Sequence, residues 1–479
     1  MSTAKVALRG SFTQLLARYS SLLIQFLVIV VLARKLEPGD FGVIGLLTVF
    51  IAISNILVES GFNAALIRRE HVSNEDLSSV MYFNCLFSLL LYFILFLASP
   101  YIATFYNIPE LTGYARVVFL VIPINALSFV QTVILSRKLL FSQLSLIQVI
   151  SAIVSAFVAI ICAYNGCGIM SLVYHNLALH ATSTALKMVF NRWIPSFSFS
   201  FKVIKELLPF SINLTITSLI KVIFQNIYTL IIGKVSTVHD VGLYNQGKRL
   251  EELSGNTIVD VVKGVAYPIL SKYRDNTEML KKAYSYIIRI TVSVVAPLML
   301  FFICASKEVI EIVYSEKWLD AVPYFKLLCL YGATLPLHLL NENVLKVVGD
   351  SKQILKIEIF RRVFLVIAIV STIRIGVSAM LIGQIVATLP IIVISMRASG
   401  QYIGYSLSEQ FRDVIWFYFS SAIAYVACFV LGMSMENHVV VQLAVKVCLF
   451  FIVYIIVLLI INKSFIIMMK DLIKTYRRQ

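Results

Sequence analysis

Inside long apolar runs the chain sets charged and amide side chains at spacings of three, four and seven, which a helix gathers on one face. Ser11, Gln14, Arg18, Ser21 and Gln25 form one such stripe. Ser211, Ser218, Lys221, Gln225 and Tyr228 form a second, and Arg249, Asn256, Asp260, Lys263 and Tyr267 a third. Asn55 and Glu59, four apart, make a short fourth. A charge at the middle of a bilayer costs at least about 2.5–3.5 kcal/mol, so the stripes are expected to line a water-filled cavity rather than face lipid. Among the central charges Arg18, Lys221, Arg249, Lys263 and, further on, Arg289 outnumber Glu59 and Asp260. Ammonium and guanidinium groups bind phosphate oxygens directly, so this set suits an anionic cargo. Gln14, Gln25, Asn55, Ser218, Gln225, Tyr228 and Asn256 complete a polar lining. Asp260 and Glu59 fit two roles: exchange of a coupling proton or sodium ion, or ion pairing, as between Asp260 and Lys263.

Other chemistries lack their residues. His338, Glu342 and Lys346, with Glu358, Arg361 and Arg362, fall toward the ends of apolar runs, where pairing and snorkelling are ordinary. The seven cysteines lie in or at the ends of such runs, without a CxxC or Cys/His grouping, and read as small hydrophobes. No DxD, GxSxG or glycine-rich phosphate loop occurs. The expectation is a non-enzyme with no metal and no organic cofactor, coupled at most to H+ or Na+.

The elements that carry these residues follow from composition. Of 479 residues 59% are hydrophobic and 14% charged, with a mean hydropathy of +0.89. Soluble domains hold about 45–50% apolar and about a quarter charged residues. The excess predicts an all-α integral membrane protein and excludes soluble enzymes, disordered scaffolds and disulfide-rich secreted domains. A spanning helix needs about 20 apolar residues, which predicts about fourteen spans. The first seven run over 11–33, 41–59, 80–104, 117–136, 141–164, 168–190 and 208–232. The others run over 241–267, 283–305, 321–347, 354–372, 377–396, 414–431 and 439–461.

The net charge of +16 would suggest nucleic acid in a soluble chain. With the amino terminus in the cytoplasm, however, about 23 basic residues of the short connections fall inside and about 7 outside. That bias orients the chain. It predicts both termini in the cytoplasm of a bacterial cytoplasmic (inner) membrane protein, and no nucleic acid partner. Residues 1–10 lead straight into a full-length apolar run without a small-residue cleavage pattern, so the first segment is expected to be retained.

The halves match weakly at an offset near 200. Gln25 corresponds to Gln225, and Asp40-Phe41-Gly42 to Asp240-Val241-Gly242. An even-span repeat keeps both copies in one orientation. The predicted organisation is a six-helix half over 1–200, a second over 201–400, and two further helices with a basic tail over 401–479.

The stretch Leu32-Ala33-Arg34-Lys35-Leu36-Glu37-Pro38-Gly39-Asp40-Phe41-Gly42 resembles the polysaccharide-biosynthesis (Wzx-type) flippases of the multidrug/oligosaccharidyl-lipid/polysaccharide exporter superfamily. So do Glu59-Ser60-Gly61-Phe62-Asn63-Ala64-Ala65-Leu66-Ile67-Arg68-Arg69 and Ala266-Tyr267-Pro268-Ile269-Leu270-Ser271-Lys272-Tyr273-Arg274. The resemblance implies export of an undecaprenyl-diphosphate-linked oligosaccharide repeat unit (O-antigen, capsule or exopolysaccharide) by alternating access. Its implied partners are that polyprenyl-diphosphate-linked glycan, membrane lipids, and the glycan polymerase and glycosyltransferases of the same pathway. Two other readings stay open: a cation-coupled multidrug exporter, which favours an acidic cavity, and a membrane-embedded glycan polymerase or glycosyltransferase, which favours a large acidic outer loop.

Overall fold

A computed structural model describes residues 20–59, 61–432, 438–463, 465, 467 and 468 of the chain. Among the described residues every regular element is a helix. By contacts the chain divides into two compact units, Met1–Gly242 and Leu243–Gln479.

The first unit holds α1 (20–35), α2 (Pro38–Glu59), α3 (Phe62–Arg68), α4 (Asn74–Tyr106), α5 (Leu111–Val118), α6 (Val121–Leu127) and α7 (Phe129–Arg137). It continues with α8 (Phe141–Tyr164), α9 (Met170–Phe190) and α10 (Phe201–Val235). Here α8 and α9 form a close hairpin, and α10 packs along α2, α3 and α4. A buried cluster around Phe62, Leu66, Val130, Val133 and Ile204 joins α3, α7 and α10. The chain passes into the second unit along α11 (Val238–Glu251). Then follow a five-residue π-turn at Glu252–Asn256, α12 (Thr257–Ser271), α13 (Thr277–Cys304), α14 (Ser306–Val313), α15 (Val322–Val348) and α16 (Ser351–Thr372). The last three are α17 (Val377–Ile403), α18 (Leu407–Gly432) and α19 (Val439–Ile461). The core of this unit gathers Tyr284, Ile288, Val292, Leu340, Val344, Met396 and Phe417. Both closing helices belong to it: α18 packs on α13 and α19, and Lys446 of α19, half-buried, reaches the buried Glu308 of α14 at 2.6 Å.

Helices occupy the described parts of the predicted segments, and α8 and α19 begin and end where the apolar runs do. At the starts of α4, α13, α16 and α18 the helix begins before its apolar run because of a polar cap that hydropathy does not register. Ser73 and Asp76 form a reciprocal capping box, Asp76 N–H to Ser73 Oγ at 3.1 Å and Ser73 N–H to Asp76 Oδ2 at 2.9 Å, so α4 starts at Asn74. Ser406 and Glu409 do the same for α18, and Asn276 caps α13. Asp350 caps α16 and also accepts from the Tyr402 hydroxyl, a bond that together with the cap holds its carboxyl below the usual range. Two expected single spans are interrupted. Segment 117–136 breaks into α5, α6 and α7, with a 40° bend before Phe129, and segment 241–267 contains the π-turn. By length and composition eight described helices can cross a membrane, nine if the bent pair counts as one span. The helices α9, α11, α12, α15 and α16 are not among them, and they carry many of the charges and imidazoles described below.

The turn from α1 to α2 recurs between α10 and α11 at an offset of 200 residues. In each, an aspartate folds back on the chain: Glu37 N–H donates to Asp40 Oδ2 at 3.0 Å, and Thr237 N–H to Asp240 Oδ2 at 3.4 Å. The two turns also touch reciprocally. A Cβ on Gly42 would strike the carbonyl of Val238, and a Cβ on Gly242 would strike the carbonyl of Pro38. Each glycine is therefore required by the backbone of the other copy.

Candidate functional site

In the second unit the polar residues converge where α11 ends. Glu251, its last residue, is only 2% exposed. Its Oε2 accepts a long bond from Asn256 Nδ2 at 3.4 Å, and its Oε1 has no hydrogen-bond partner among the described residues. Space for the carboxylate exists because two neighbours lack side chains. A Cβ on Gly332 of α15 would collide with Oε1, and one on Gly255 would sit 3.2 Å from it. The π-turn that follows Glu251 is a form of break found frequently at functional sites. Lys248 pairs with Glu252 at 3.8 Å and also lies within electrostatic reach of Glu251. Arg249 acts electrostatically on Tyr314 and Glu252. A buried carboxylate with an unpartnered oxygen and no close ion pair is costly unless a proton or a small cation accompanies it.

The first unit has a different polar interior, built from α2, α6 and α9. Asn55 Oδ1 accepts from Asn125 Nδ2 at 3.3 Å, and Thr184 Oγ1 bonds Ile124 O and Ser128 Oγ at 3.0 Å each. His175 Nδ1 lies 3.2 Å from Ser155 O. Lys187, at the end of α9, faces Glu59 closely enough for the two charges to attract, and His180 lies within electrostatic reach of Lys187 and His175.

The expected site residues distribute as follows. Gln14 and Arg18 lie outside the described residues. Gln25 is half-buried on α1. Ser218, Lys221 and Gln225 lie on an exposed side of α10, and Tyr228 at 4% exposure turns inward. Asn55 bonds Asn125 and Glu59 faces Lys187 in the first unit, Asn256 bonds Glu251, and Arg249 lies toward Tyr314 and Glu252. Lys263 and Asp260 pair at 3.7 Å, the carboxylate side chain 62% exposed. Arg289 is 8% exposed on α13, among core residues, within electrostatic reach of Tyr405. The secondary cluster pairs internally. Lys346 meets Glu342 at 2.7 Å, and Glu358 holds Arg362 at 2.6 Å as well as Arg361. His338, Glu342, Glu358, Arg361 and Ser395 line a cavity of about 10 Å³ there, room for roughly one water.

The stripe pattern missed Glu251, Lys187 and His180. Glu251 is masked in the sequence by its neighbours Arg249 and Glu252, which make the segment read as a solvated end. The repeat carries the signal that finds it: its counterpart 200 residues earlier is Ile51, buried at 6% exposure.

Comparison with known proteins supplies a family. The family described as polysaccharide biosynthesis protein matches residues 31–323. The chain is 26% identical over 298 residues to the teichuronic acid biosynthesis protein TuaB of Bacillus subtilis (strain 168), a match covering 62% of each chain. It is 25% identical over 308 residues to the lipopolysaccharide biosynthesis protein WzxC of Escherichia coli (strain K12), covering 63% of this chain and 62% of that protein. These matches thus span less than two thirds of either relative's length. Among solved structures, the lipid II flippase MurJ in an inward closed conformation superposes with a TM-score of 0.74 at 14% identity, covering 95% of this chain and 99% of that one. An inward-facing multidrug resistance MATE family transporter of the MOP superfamily follows at 0.63 and 16%, covering 80% and 94%.

Proposed function

Because the chain belongs to the polysaccharide biosynthesis family, we propose that it is a flippase for a polyprenyl-diphosphate-linked oligosaccharide. It moves the repeat unit from the cytoplasmic to the outer leaflet of a bacterial cytoplasmic membrane, working by alternating access and not as an enzyme. The observation that carries this reading is the family match over residues 31–323, which includes both copies of the repeated turn. The names of TuaB and WzxC point to the same class of cell-surface glycan.

Fourteen spans, two six-helix halves over 1–200 and 201–400 and an appended pair over 401–479, with both termini cytoplasmic, are the organisation proposed with it. The reciprocal contact of Gly42 and Gly242 supports the two-half repeat. Arg18, Lys221, Arg249 and Lys263 meet the diphosphate, because two adjacent phosphates demand several fixed cations. Glu251, enclosed at 2% exposure with one oxygen unpartnered among the described residues, takes up the coupling proton or sodium ion in preference to Asp260, which is mostly exposed and already has Lys263.

The test is export in cells. Arg18→Ala, Lys221→Ala and Lys263→Ala should each lower surface glycan with normal amounts of protein in the membrane, and Lys221→Arg should do less harm. Wild-type surface glycan in all three alanine variants would remove the cationic path. Resistance to cationic drugs that rises with the wild-type chain would move the reading to the multidrug exporter.

A further inference from the structure

We propose that Cys162 and Cys167 form a disulfide that staples the turn between α8 and α9 on the outer face of the membrane. α8 ends at Tyr164, and Gly166 takes a left-handed conformation at φ 75°. Two backbone bonds close the end: Gly166 N–H to Ala163 O at 3.2 Å and Cys167 N–H to Cys162 O at 3.0 Å. That nested pair of bonds is the helix-ending motif in which the side chain three from the end meets the one just beyond the turn, an encounter usually made by two hydrophobes. Here both positions are cysteine, and their thiols lie within hydrogen-bonding reach of each other. The motif thus brings the two thiols to the same end of α8, within reach of each other, as a disulfide requires.

Accessibility separates this pair from another. Cys304 and Cys428 also touch, but Cys428 is fully buried at 0% exposure. Cys167 is exposed and Cys162 partly so, and thiol–disulfide exchange needs that access. The charge bias of the connections puts the α8–α9 turn outside, and the proposal rests on that orientation, which forms part of the flippase reading. Outside, disulfides persist. The reaction draws on a thiol–disulfide oxidoreductase of that compartment. The Cys167 thiolate attacks the oxidoreductase disulfide to give a mixed disulfide and one released thiol. The Cys162 thiolate then attacks the Cys167 sulfur and expels the second. Two protons and two electrons leave the pair, and the oxidoreductase becomes a dithiol.

The test uses the full chain in its membrane, alkylated without reductant, digested, and analysed by mass spectrometry. The expected peptide over 162–167 is unalkylated and two hydrogens lighter than the dithiol, and gains two alkyl groups once reduced first. In Cys167→Ser, Cys162 should be alkylated without reductant. Recovery of the wild-type peptide doubly alkylated without reductant overturns the disulfide. A membrane-impermeant maleimide on intact, reduced cells keeps this apart from the flippase reading. If it labels Cys167 while the unreduced pair is alkylated, the disulfide falls and the orientation stands; if it cannot reach Cys167, both fall.

Discussion

The two copies of the repeated turn begin alike and then part. Residues 31–40 and 231–240 have the same succession of helix, break and helix, with glycines at 42 and 242 held against each other's backbone. After the glycine, α2 runs on unbroken to Glu59, whereas α11 stops at Glu251 and passes through a π-turn. At one equivalent position the first copy buries Ile51 at 6% exposure and the second buries Glu251 at 2%. The fold evidently accepts an apolar side chain at that place. The carboxylate that stands there in the second copy leaves one oxygen unpartnered among the described residues, so packing alone does not account for it.

The largest effect should come from making the first copy imitate the second. Ile51→Glu buries an acid where no glycine pair makes room, and losing a partner for a buried charge costs about 3–5 kcal/mol. Thermal unfolding of the purified protein in detergent should show a lower midpoint, and the yield should fall. An Ile51→Glu protein as stable as the wild type would mean that the surroundings of Glu251 are nothing special.

The glycines come next. Gly42→Ala and Gly242→Ala each drive a methyl group into a carbonyl of the opposite turn, an overpacking cost of about 1–3 kcal/mol. Because the contacts are reciprocal, the two losses in unfolding midpoint should be similar. A silent substitution at one glycine and a severe one at the other would break the equivalence of the copies.

Making the second copy imitate the first should do the reverse of Ile51→Glu. Glu251→Ile should leave the unfolding midpoint unchanged or raised, since replacing a buried charge by a hydrophobe is often neutral or stabilising. Export of the glycan should nevertheless fall by about tenfold or more, equivalent to ~1.4 kcal/mol on the rate-limiting barrier. Glu251→Gln should lose the dependence of transport on pH or sodium. Full export by both variants would withdraw Glu251 from coupling.

Most of the architecture could be read in advance, because a membrane span announces itself by length and apolarity alone. The run 141–164 needed no tertiary information to become α8. Caps such as Ser73 with Asp76 escaped, since they extend helices past the apolar stretch into polar sequence. The π-turn escaped too, because nothing in Glu252–Asn256 departs from helical spacing, and its cause lies in what surrounds Glu251. Stripe logic grouped Arg249, Asn256, Asp260 and Lys263 on one segment, yet it weighs each charge equally. It could not tell Asp260, at the surface with a partner, from Glu251, enclosed beside Gly255 and Gly332. That distinction depends on residues 80 positions away in sequence, such as Gly332, and a pattern within one helix does not contain it.

Asp260 is therefore the residue on which the smallest change is expected, and the one that sharpens the comparison most cheaply. It sits nine residues beyond Glu251, 3.7 Å from Lys263, with its side chain mostly exposed. An exposed pair one turn apart on a helix contributes about 0.3–0.5 kcal/mol and is weakened by salt. Asp260→Asn should thus shift the unfolding midpoint barely at all, and it should leave the pH or sodium dependence of export as in the wild type. If Lys263 meets the diphosphate, freeing it from Asp260 should slightly raise the apparent affinity for the glycan, an effect visible at low salt and lost at high salt. A variant whose coupling is abolished, with Glu251 untouched, would transfer the coupling role from the buried acid to the exposed one and leave the enclosed carboxylate as a structural residue.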